Sequence, residues 1–444
     1  MDEKKNERLF SLDLLRGLDM FLLTVIGPLW CAVSALWGPF PNWVSRNFGH
    51  YWGAFGLWDL IMPMFIFMCG AAIPFALGRR LKDGRPTPAF WKHLLYRFVL
   101  LWVLGMVAQG HLLSLDWKEI SPFNNTLQTI AAGYVIAALV LLIPNRKVRW
   151  AIPVVLALAY AVPLAICGDY SPGGCVMLEG VLPVVPNGAT CLADGSLLLP
   201  PGCTFENGRL LGLSLPDWCA AYGSAVFPGG TVVAQGDNLV IAGGNAAWLL
   251  EAKILNLLLP AGSNVLVHRD PGYTWFATIP MFGVMTLCGM IATEILTAAK
   301  EKARKGFELL ALGAVLLAFG WAIYPVIPSI KHIYSLTFTA QAMGWCCLAL
   351  AALYFLSDVW GVRRGLGLFI LFGQHALTAY LVTETLFVGA AMKLVQCFVG
   401  GLPNLLGTKQ YQILFENLGF AVLLVLVLVA KHRLAEWRRA RTFI

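Results

Sequence analysis

Long apolar segments recur along the chain from near its start almost to its end. A helix needs about 20 apolar residues to cross ~30 Å of hydrocarbon, because it rises 1.5 Å per residue. Such segments lie near residues 12–36, 54–78, 94–113, 124–143, 150–167, 274–299, 307–328, 334–356, 367–390 and 411–430. The pattern predicts an all-α polytopic membrane protein with about ten transmembrane helices. The first segment is too long for a signal peptide and no small-residue cleavage site follows it, so we expect it to remain as helix one.

The longest interval between apolar segments, residues 168–273, breaks this pattern. It is rich in Gly and Pro, and short β-branched runs such as Thr231-Val232-Val233 indicate turns and short strands. A piece from Ala246 to Leu259 has helical apolar spacing, and we expect it to lie along the membrane surface. The chain is therefore expected to consist of helices one to five in residues 1–167, a small loop domain, and helices six to ten in residues 274–444.

Composition excludes a soluble protein. Of the 444 residues, 58% are hydrophobic and only 13% are charged, whereas soluble domains carry about 25% charged residues. The net charge of +8 does not indicate nucleic acid, because the basic residues are divided among short loops and never form one continuous face. With the N-terminus placed inside, 24 of the 32 Lys and Arg residues fall on one side. The positive-inside rule then predicts an inner-membrane protein with both termini cytoplasmic and the loop domain outside.

Four of the eleven cysteines fall in the loop domain, namely Cys175, Cys191, Cys203 and Cys219. Disulfides persist in an exported compartment, so we expect this domain to be stapled by two bridges, with three connectivities open. The spacing lacks the paired Cys-x-x-Cys of a zinc site, and no metal site is predicted. We expect the other cysteines, which lie in or beside apolar runs, to be small core residues.

Polar residues at membrane depth cost a few kcal/mol each, which makes them functional candidates. Asp13, Arg16 and Asp19 follow one another at intervals of three in helix one, so they can share a face and pair. An ion-pair lock between helices and a functional role are equally compatible with this spacing.

His50, Trp52 and Asp59 lie at the outer end of helix two. Asp59 is about one turn inside the helix, where the positive N-terminus favours a carboxylate. An imidazole beside a carboxylate at a wet membrane boundary suits proton abstraction at neutral pH, although an interfacial His among aromatic residues is more often an anchor. Further polar positions that could line one outward cavity are Gln128, Asp270, Lys331, His332, Gln374, His375 and Glu384.

These residues together resemble the heparan-alpha-glucosaminide N-acetyltransferase family and its bacterial relatives. The resemblance spans nearly the whole chain in six short motifs, each weak alone. They are Ser11-Leu12-Asp13 with Arg16-Gly17; His50 with Trp52 and Asp59; Pro63-Met64-Phe65-Ile66-Phe67 with Gly70; Leu127-Gln128; Asp270-Pro271-Gly272; and Pro328, Lys331 and Ser335, followed by Phe372-Gly373, Ala376, Leu377 and Tyr380. Four departures stand beside the match: the His-to-Asp spacing is one residue shorter, Gly27 and His375 occupy positions of family Asn residues, and Thr129 that of an Arg.

The resemblance implies an enzyme that moves acetyl from cytoplasmic acetyl-CoA to the amine of a terminal glucosamine on the other side, as on heparan sulfate. His50 would be its essential histidine, and Asp59 would orient that ring. Guanidinium groups pair bidentately with phosphate, so Arg16 and Arg97 are the expected phosphate contacts, and Asp13 is expected beside Arg16 in the acetyl-CoA site. Acceptor-binding positions are expected at Trp52, Gln128, Asp270, Lys331 and His375. The expected partners are an amino sugar or glycan and membrane lipid, and we also consider a homodimer.

Two alternatives stay open. Another group of membrane acyltransferases opens with a similar Asp-x-x-Arg-Gly segment, so the chain could be an O-acyltransferase that acts on surface polysaccharide. A transporter or flippase that moves a saccharide without reacting it belongs to a different class. The absence of a convincing internal repeat in the sequence disfavours such a carrier. A carrier releases no CoA thiol from acetyl-CoA, whereas an acetyltransferase does.

Overall fold

The fold is a bundle of apolar helices with one inserted β-rich domain. A computed structural model describes residues 9–38, 40–108, 122–217, 219, 223–259, 272–385, 387–405 and 411–442. Its longer helices are α1 (Phe10–Trp37), α2 (Leu57–Arg80), α3 (Pro88–Ala108), α4 (Thr126–Leu141), α5 (Arg146–Cys167), α6 (Ala246–Leu258), α7 (Ile279–Leu296), α8 (Lys302–Ile323), α9 (Leu336–Val359), α10 (Gly367–Gln374), α11 (Ala376–Glu384), α12 (Phe387–Val399) and α13 (Gln412–Thr442).

Eight of the described helices are long and apolar enough to cross a membrane. Helices α11 and α12 meet at an angle of 81° and together would make a ninth span, while α4 is apolar but shorter. A helical multi-pass membrane protein is thereby confirmed. The predicted segment near 367–390 is the one most altered, because its helix is divided near His375 and again after Glu384.

Helix α7 occupies the centre of the bundle, and 78% of its most apolar window is buried. Close approach depends on glycines, as is common between membrane helices. A Cβ at Gly289 would collide with the Phe67 carbonyl of α2, and one at Gly70 with the Thr286 backbone of α7. Helix α4 packs on the same region through Gly133. These contacts fix α2 and α4, which carry candidate site residues, against α7.

Helix α1 is interrupted by a π-helical stretch from Leu22 to Ile26. Its first backbone N–H groups, those of Phe10 and Ser11, donate to the Asp358 carboxylate at 3.2 and 3.0 Å. This carboxylate satisfies donors that a helix N-terminus leaves open. Asp358 lies at the end of α9, so it ties together two helices at the end of the bundle opposite the loop domain.

The loop domain, residues 168–259 where described, contains two antiparallel sheets, as the Gly- and Pro-rich sequence predicts. A four-stranded sheet has the spatial order Thr231–Gln235, Asn238–Ala242, Leu197–Leu198 and Thr190–Cys191. A five-stranded sheet has the order Leu182–Val184, Val176–Leu178, Val226–Pro228, Arg209–Leu211 and Thr204–Glu206. Their buried faces share one small apolar core that includes Val176, Leu197 and Ile241. A hairpin of Leu81–Lys82 and Arg85–Pro86 follows α2 separately.

Helix α6, predicted from apolar spacing, is confirmed and packs one face on the loop domain. The fully buried Trp248 ring lies against glycines, where a Cβ at Gly173 or Gly174 would collide with the indole. Its Nε1–H donates to the Gly195 carbonyl at 2.9 Å. On the buried side, the Glu251 carboxylate accepts the backbone N–H groups of Phe276 and Ala277 at 3.1 and 2.8 Å. Glu251 thus joins the loop domain to the start of α7.

The expected disulfide staples are wrong. Cys175, Cys191, Cys203 and Cys219 are all free thiols, as are the remaining cysteines of the described chain. The thiols of Cys191 and Cys203 approach the carbonyls of Leu192 and Gly212 rather than another sulfur. Burial raises the pKa of the Cys175 thiol, and it raises that of Cys191 to about 12, which disfavours the reactive thiolate. The domain is held by its sheets and apolar core instead.

Candidate active site

The segment from Gly49 to Asp59 folds into a tight loop that leads into α2. Gly53 has a positive φ of 75°, a conformation that side chains rarely adopt, and its carbonyl accepts the Tyr324 hydroxyl at 3.0 Å. The Asp59 Oδ2 atom accepts the Gly56 backbone N–H at 2.8 Å. Asp59 therefore caps the first turn of its own helix and keeps one carboxylate oxygen for another partner.

That partner is His50. The Asp59 Oδ1 atom lies 2.6 Å from His50 Nδ1, across only nine residues of sequence. An ionised carboxylate can only accept, so Nδ1 carries the proton and Nε2 is left as the basic nitrogen. Asp59 is 1% exposed, while 36% of the His50 side chain is exposed. The ring therefore joins a buried carboxylate to an accessible surface.

Lys331 completes this cluster, although it lies 281 residues away in sequence. Its Nζ atom is 3.0 Å from both ring nitrogens of His50 and 3.5 Å from Asp59 Oδ1. Because Nζ is equally far from the two nitrogens, it does not lie along a single lone pair of the ring. It acts on the imidazole as a nearby charge, and only 5% of Lys331 is exposed. We call Asp59, His50 and Lys331 the His50 cluster.

Burial and the neighbouring charges together set the protonation state of the His50 ring. Burial lowers the pKa of the imidazole below its usual 6.5, and the Lys331 ammonium lowers it further, while Asp59 acts in the opposite direction. The net direction keeps the ring neutral at physiological pH, which is the form that a general base requires. His50 therefore has the tautomer, exposure and charge that suit proton abstraction.

A layer of aromatic rings supports the cluster. The buried His332 ring lies between Trp52, at 5.2 Å between centroids, and Tyr273, at 4.2 Å. Burial lowers the pKa of His332 to about 3, so this ring is neutral. The Trp52 indole N–H donates to the Tyr170 carbonyl at 3.0 Å, and its backbone N–H donates to the Val181 carbonyl at 2.8 Å. Trp52 thus anchors the His50 loop on the loop domain.

A separate cavity of about 470 Å³ is lined by residues of α1, α2, α3, α4, α10 and α11. Arg16 and Arg97, the expected phosphate contacts, both line it. The remaining lining is mostly apolar, and Phe65 of α2 and Thr126 of α4 belong to it near the loop-domain ends of their helices. Arg16 lies in the second turn of α1, which begins at the other end. The cavity therefore extends along the helices rather than across them.

The Arg97 guanidinium is held at the wall of this cavity by two neighbours. Its carbon lies 4.6 Å from the centre of the Tyr134 ring, and Nη2 lies 3.8 Å from Cys69 Sγ. Phe65 is six residues beyond Asp59 in α2, or ~10 Å along a helix. The Arg97 guanidinium, which contacts Cys69 ten residues beyond Asp59, therefore lies beside the middle of α2, ~15 Å along the helix from the His50 cluster.

Of the three charged residues predicted to pair on α1, only two are close to each other. Asp13 and Arg16 approach to 3.8 Å, which agrees with their spacing. Asp19 does not join them: its side chain is fully buried, and neither carboxylate oxygen has a hydrogen-bond partner among the described residues. The three residues therefore do not form one ion-paired row.

Several predicted acceptor positions lie apart from His50. His375 Nε2 is 3.4 Å from His432 Nδ1 of α13, on the opposite half of the bundle, while the neighbouring Gln374 lines the cavity. The Gln128 amide is bonded to the backbone of its own helix start, through the Pro122 carbonyl and the Asn124 N–H. Asp270 lies outside the described residues. His375 therefore does not join His50 in one outward cavity, and the predicted place of Asp270 stays a prediction.

Two residues near the candidate site were not identified from the sequence. His93 of α3 lines the cavity beside Arg97, and Tyr273 packs against His332. Neither carried a distinctive signal, since one is a lone histidine in a helix and the other an aromatic residue in a loop. A basic residue that faces a cavity with two guanidinium groups is informative only once the helices are packed.

Comparison with protein-family models gave no match, and comparison with curated proteins gave none either. The resemblance to the acetyltransferase family therefore rests on the short motifs quoted above.

Proposed function

We propose that this chain is a membrane acetyltransferase that transfers acetyl from acetyl-CoA to the amine of a glucosamine-type sugar. The observation that carries the proposal is the His50 cluster, in which a buried carboxylate orients a neutral, accessible imidazole beside a lysine. A cavity with two guanidinium groups on its wall reaches Phe65, six residues beyond Asp59 on α2 and ~10 Å along the helix. The resemblance of the motifs adds the reaction type and the acceptor.

In this proposal, His50 does the proton chemistry. An amino sugar arrives as an ammonium ion at neutral pH and becomes nucleophilic only when it loses a proton. His50 Nε2 takes that proton, or it takes the acetyl group itself as a covalent intermediate. Asp59 holds Nδ1–H in place and stabilises the cationic ring. Lys331 presents a positive charge where the thioester oxygen becomes negative during attack.

Donor binding is assigned to the cavity. Its volume lies within the usual 300–1,000 Å³ of small-molecule sites, and its apolar lining suits the slender pantetheine arm. Arg16 and Arg97 pair with the phosphates, and Asp13 keeps Arg16 in position at 3.8 Å. The nucleotide remains toward the basic end of the bundle, while the arm reaches toward His50.

Orientation follows from the charge asymmetry of the loops. We place both termini in the cytoplasm and the loop domain outside the inner membrane, so that donor and acceptor reach the protein from opposite faces. Membrane-impermeant thiol reagents should label single cysteines introduced in the 180–240 region and miss those introduced near Arg85. The reverse pattern would overturn both the orientation and the mechanism.

The direct test is release of free CoA. Purified protein is incubated with acetyl-CoA and glucosamine, and the thiol that appears is measured together with the acetylated sugar. An N-acetyl product with one CoA per sugar is the expected result. An O-acetyl product would favour the polysaccharide O-acyltransferase instead, and no thiol at all would favour a carrier.

A further inference from the structure

Lys331 places an amine where the acceptor amine of the proposed reaction has to come. A general base must lie within about 2.6–3.2 Å of the atom whose proton it removes. The Lys331 Nζ atom lies within this distance, because it is 3.0 Å from His50 Nε2 and equally far from Nδ1, and a small rotation of the lysine side chain is needed to align an N–H with the Nε2 lone pair. The protein thus carries, inside its own site, a primary amine in the position of a substrate.

The charge of this amine resembles that of the acceptor as well. Asp59 Oδ1, 3.5 Å from Nζ, favours the ammonium form, which is also the form of an amino sugar at neutral pH. The ammonium is unreactive until a base removes a proton, and a neutral His50 is beside it. When the ring instead gains a proton or an acetyl group, it becomes cationic, and a second cation 3.0 Å away is destabilised. Both routes yield a neutral, nucleophilic lysine.

We infer that Lys331 is a self-acetylation site, modified by the protein's own reaction when no acceptor is bound. The inference rests on the proposed function. In the reaction, the Lys331 ammonium loses one proton to His50, and its nitrogen forms an amide bond to the acetyl carbonyl carbon. The thioester bond breaks and the CoA thiolate leaves. It takes the second proton that the nitrogen loses as the amide forms, which gives free CoA. His50 returns to its neutral form by releasing its proton to water.

Acetylation of Lys331 should inactivate the site. The product is a neutral amide, so the positive charge beside Asp59 and His50 is lost, and the added group fills space next to the ring. Bound acceptor would prevent this, because its amine competes for the same base and the same acetyl group. The protein should therefore lose activity when it is incubated with acetyl-CoA in the absence of a sugar acceptor.

Mass spectrometry of the peptide that contains Lys331 tests this inference. The purified protein is incubated with acetyl-CoA alone, and acetylation of Lys331 is followed with time beside that of Lys253. Lys253 is exposed on α6, whereas Lys331 is 5% exposed, so uncatalysed acetylation would favour Lys253. We expect the opposite order, with Lys331 modified faster and with glucosamine suppressing its modification. His50→Ala should lower the rate at Lys331 by at least about 100-fold and leave Lys253 unchanged.

A second arm does not depend on the folding of a variant. Free CoA added to the wild-type protein should protect Lys331, because it occupies the donor cavity, and it should not protect Lys253. If the protein acetylates glucosamine while Lys331 is modified no faster than Lys253, self-acetylation is refuted and the proposed function stands. If Lys331 is modified in a His50-dependent way without any sugar product, self-acetylation stands and the assigned acceptor is wrong. If neither glucosamine nor Lys331 is acetylated, both the proposed function and self-acetylation are refuted.

Discussion

The first turn and the middle of α2 lie beside charged groups that are arranged in opposite ways. At the loop-domain end, Asp59, His50 and Lys331 lie within 3.5 Å of one another, and two of the three are almost fully buried. Beside the middle of α2, Arg16 and Arg97 line a cavity of about 470 Å³ whose other walls are mostly apolar. One region is filled by its own side chains, and the other leaves space.

This difference matches the different geometric requirements of a catalytic group and of a ligand-binding cavity. A reacting group must be held within about 0.5 Å of its productive position, which requires packed neighbours and short hydrogen bonds. A long, flexible ligand needs room and a few well-placed charges. On this interpretation, changes in the His50 cluster should affect turnover, and changes in the cavity should affect donor affinity.

The largest expected effect is that of His50→Ala. Removing a general base typically costs 10²–10⁴-fold in rate, so acetyl transfer should fall by about that factor while acetyl-CoA still binds. Transfer is measured by product formation, and donor binding by calorimetry on the same detergent-purified protein.

His375→Ala is the matched control for His50. The sequence makes His375 a rival base, but in the structure it faces His432 in the other half of the bundle. It should keep near-normal turnover. If His50→Ala stays active and His375→Ala is inactive, the assignment of the base is wrong and the comparison of the two regions loses its basis.

The second effect concerns the cavity. A hydrogen bond to a charged group is worth about 1.5–3 kcal/mol, so Arg97→Ala should weaken acetyl-CoA binding by about 10- to 100-fold with a smaller change in kcat. Arg97→Lys should recover only part of this, because lysine keeps the charge but not the two-point contact. Arg85→Ala, in the exposed hairpin after α2, is the control and should bind normally. A loss of kcat at unchanged donor affinity would contradict the division of roles.

The third effect is a shift in pH dependence. Only neutral His50 is a base, so kcat/KM should fall as pH drops through its lowered pKa, below about 6.5. Lys331→Met removes a cation that lowers this pKa, so the acid limb should move to higher pH. Asp59→Asn removes the anion that raises it, so the limb should move to lower pH, and its loss of rate should be milder than that of His50→Ala. Both limbs moving in the same direction, or neither moving, would show that another group titrates.

Sequence periodicity could predict the spans and the local part of the site. Apolar length determines a membrane helix, and His50 and Asp59 are separated by one short loop. Lys331 comes from a distant segment, and its contact with His50 depends on how α2, α7 and α9 pack. Spacing alone also placed Asp19 with Arg16, whereas its carboxylate is buried without a hydrogen-bond partner in the described part of the chain.

The disulfide prediction failed for a different reason. It was drawn from compartment chemistry and from the number of cysteines, and neither fixes where the sulfur atoms lie. Cys175 and Cys219 are buried in the loop domain, at 0% and 1% exposure, where a thiol behaves as a small apolar side chain.

The smallest expected effect is that of a reducing agent. The loop domain holds Trp52 through the Tyr170 and Val181 carbonyls, so loosening it would disturb the His50 cluster while sparing the Arg-lined cavity. Since all its cysteines are free, phosphine reductant should change neither the Tm nor the acetyl-transfer rate. Loss of a native disulfide typically costs about 2–5 kcal/mol, which would lower the Tm by several degrees. Alkylation in denaturant without reductant should modify all eleven cysteines. Four protected cysteines, with a Tm and turnover that fall on reduction at unchanged donor affinity, would show instead that covalent staples hold the His50 loop in place.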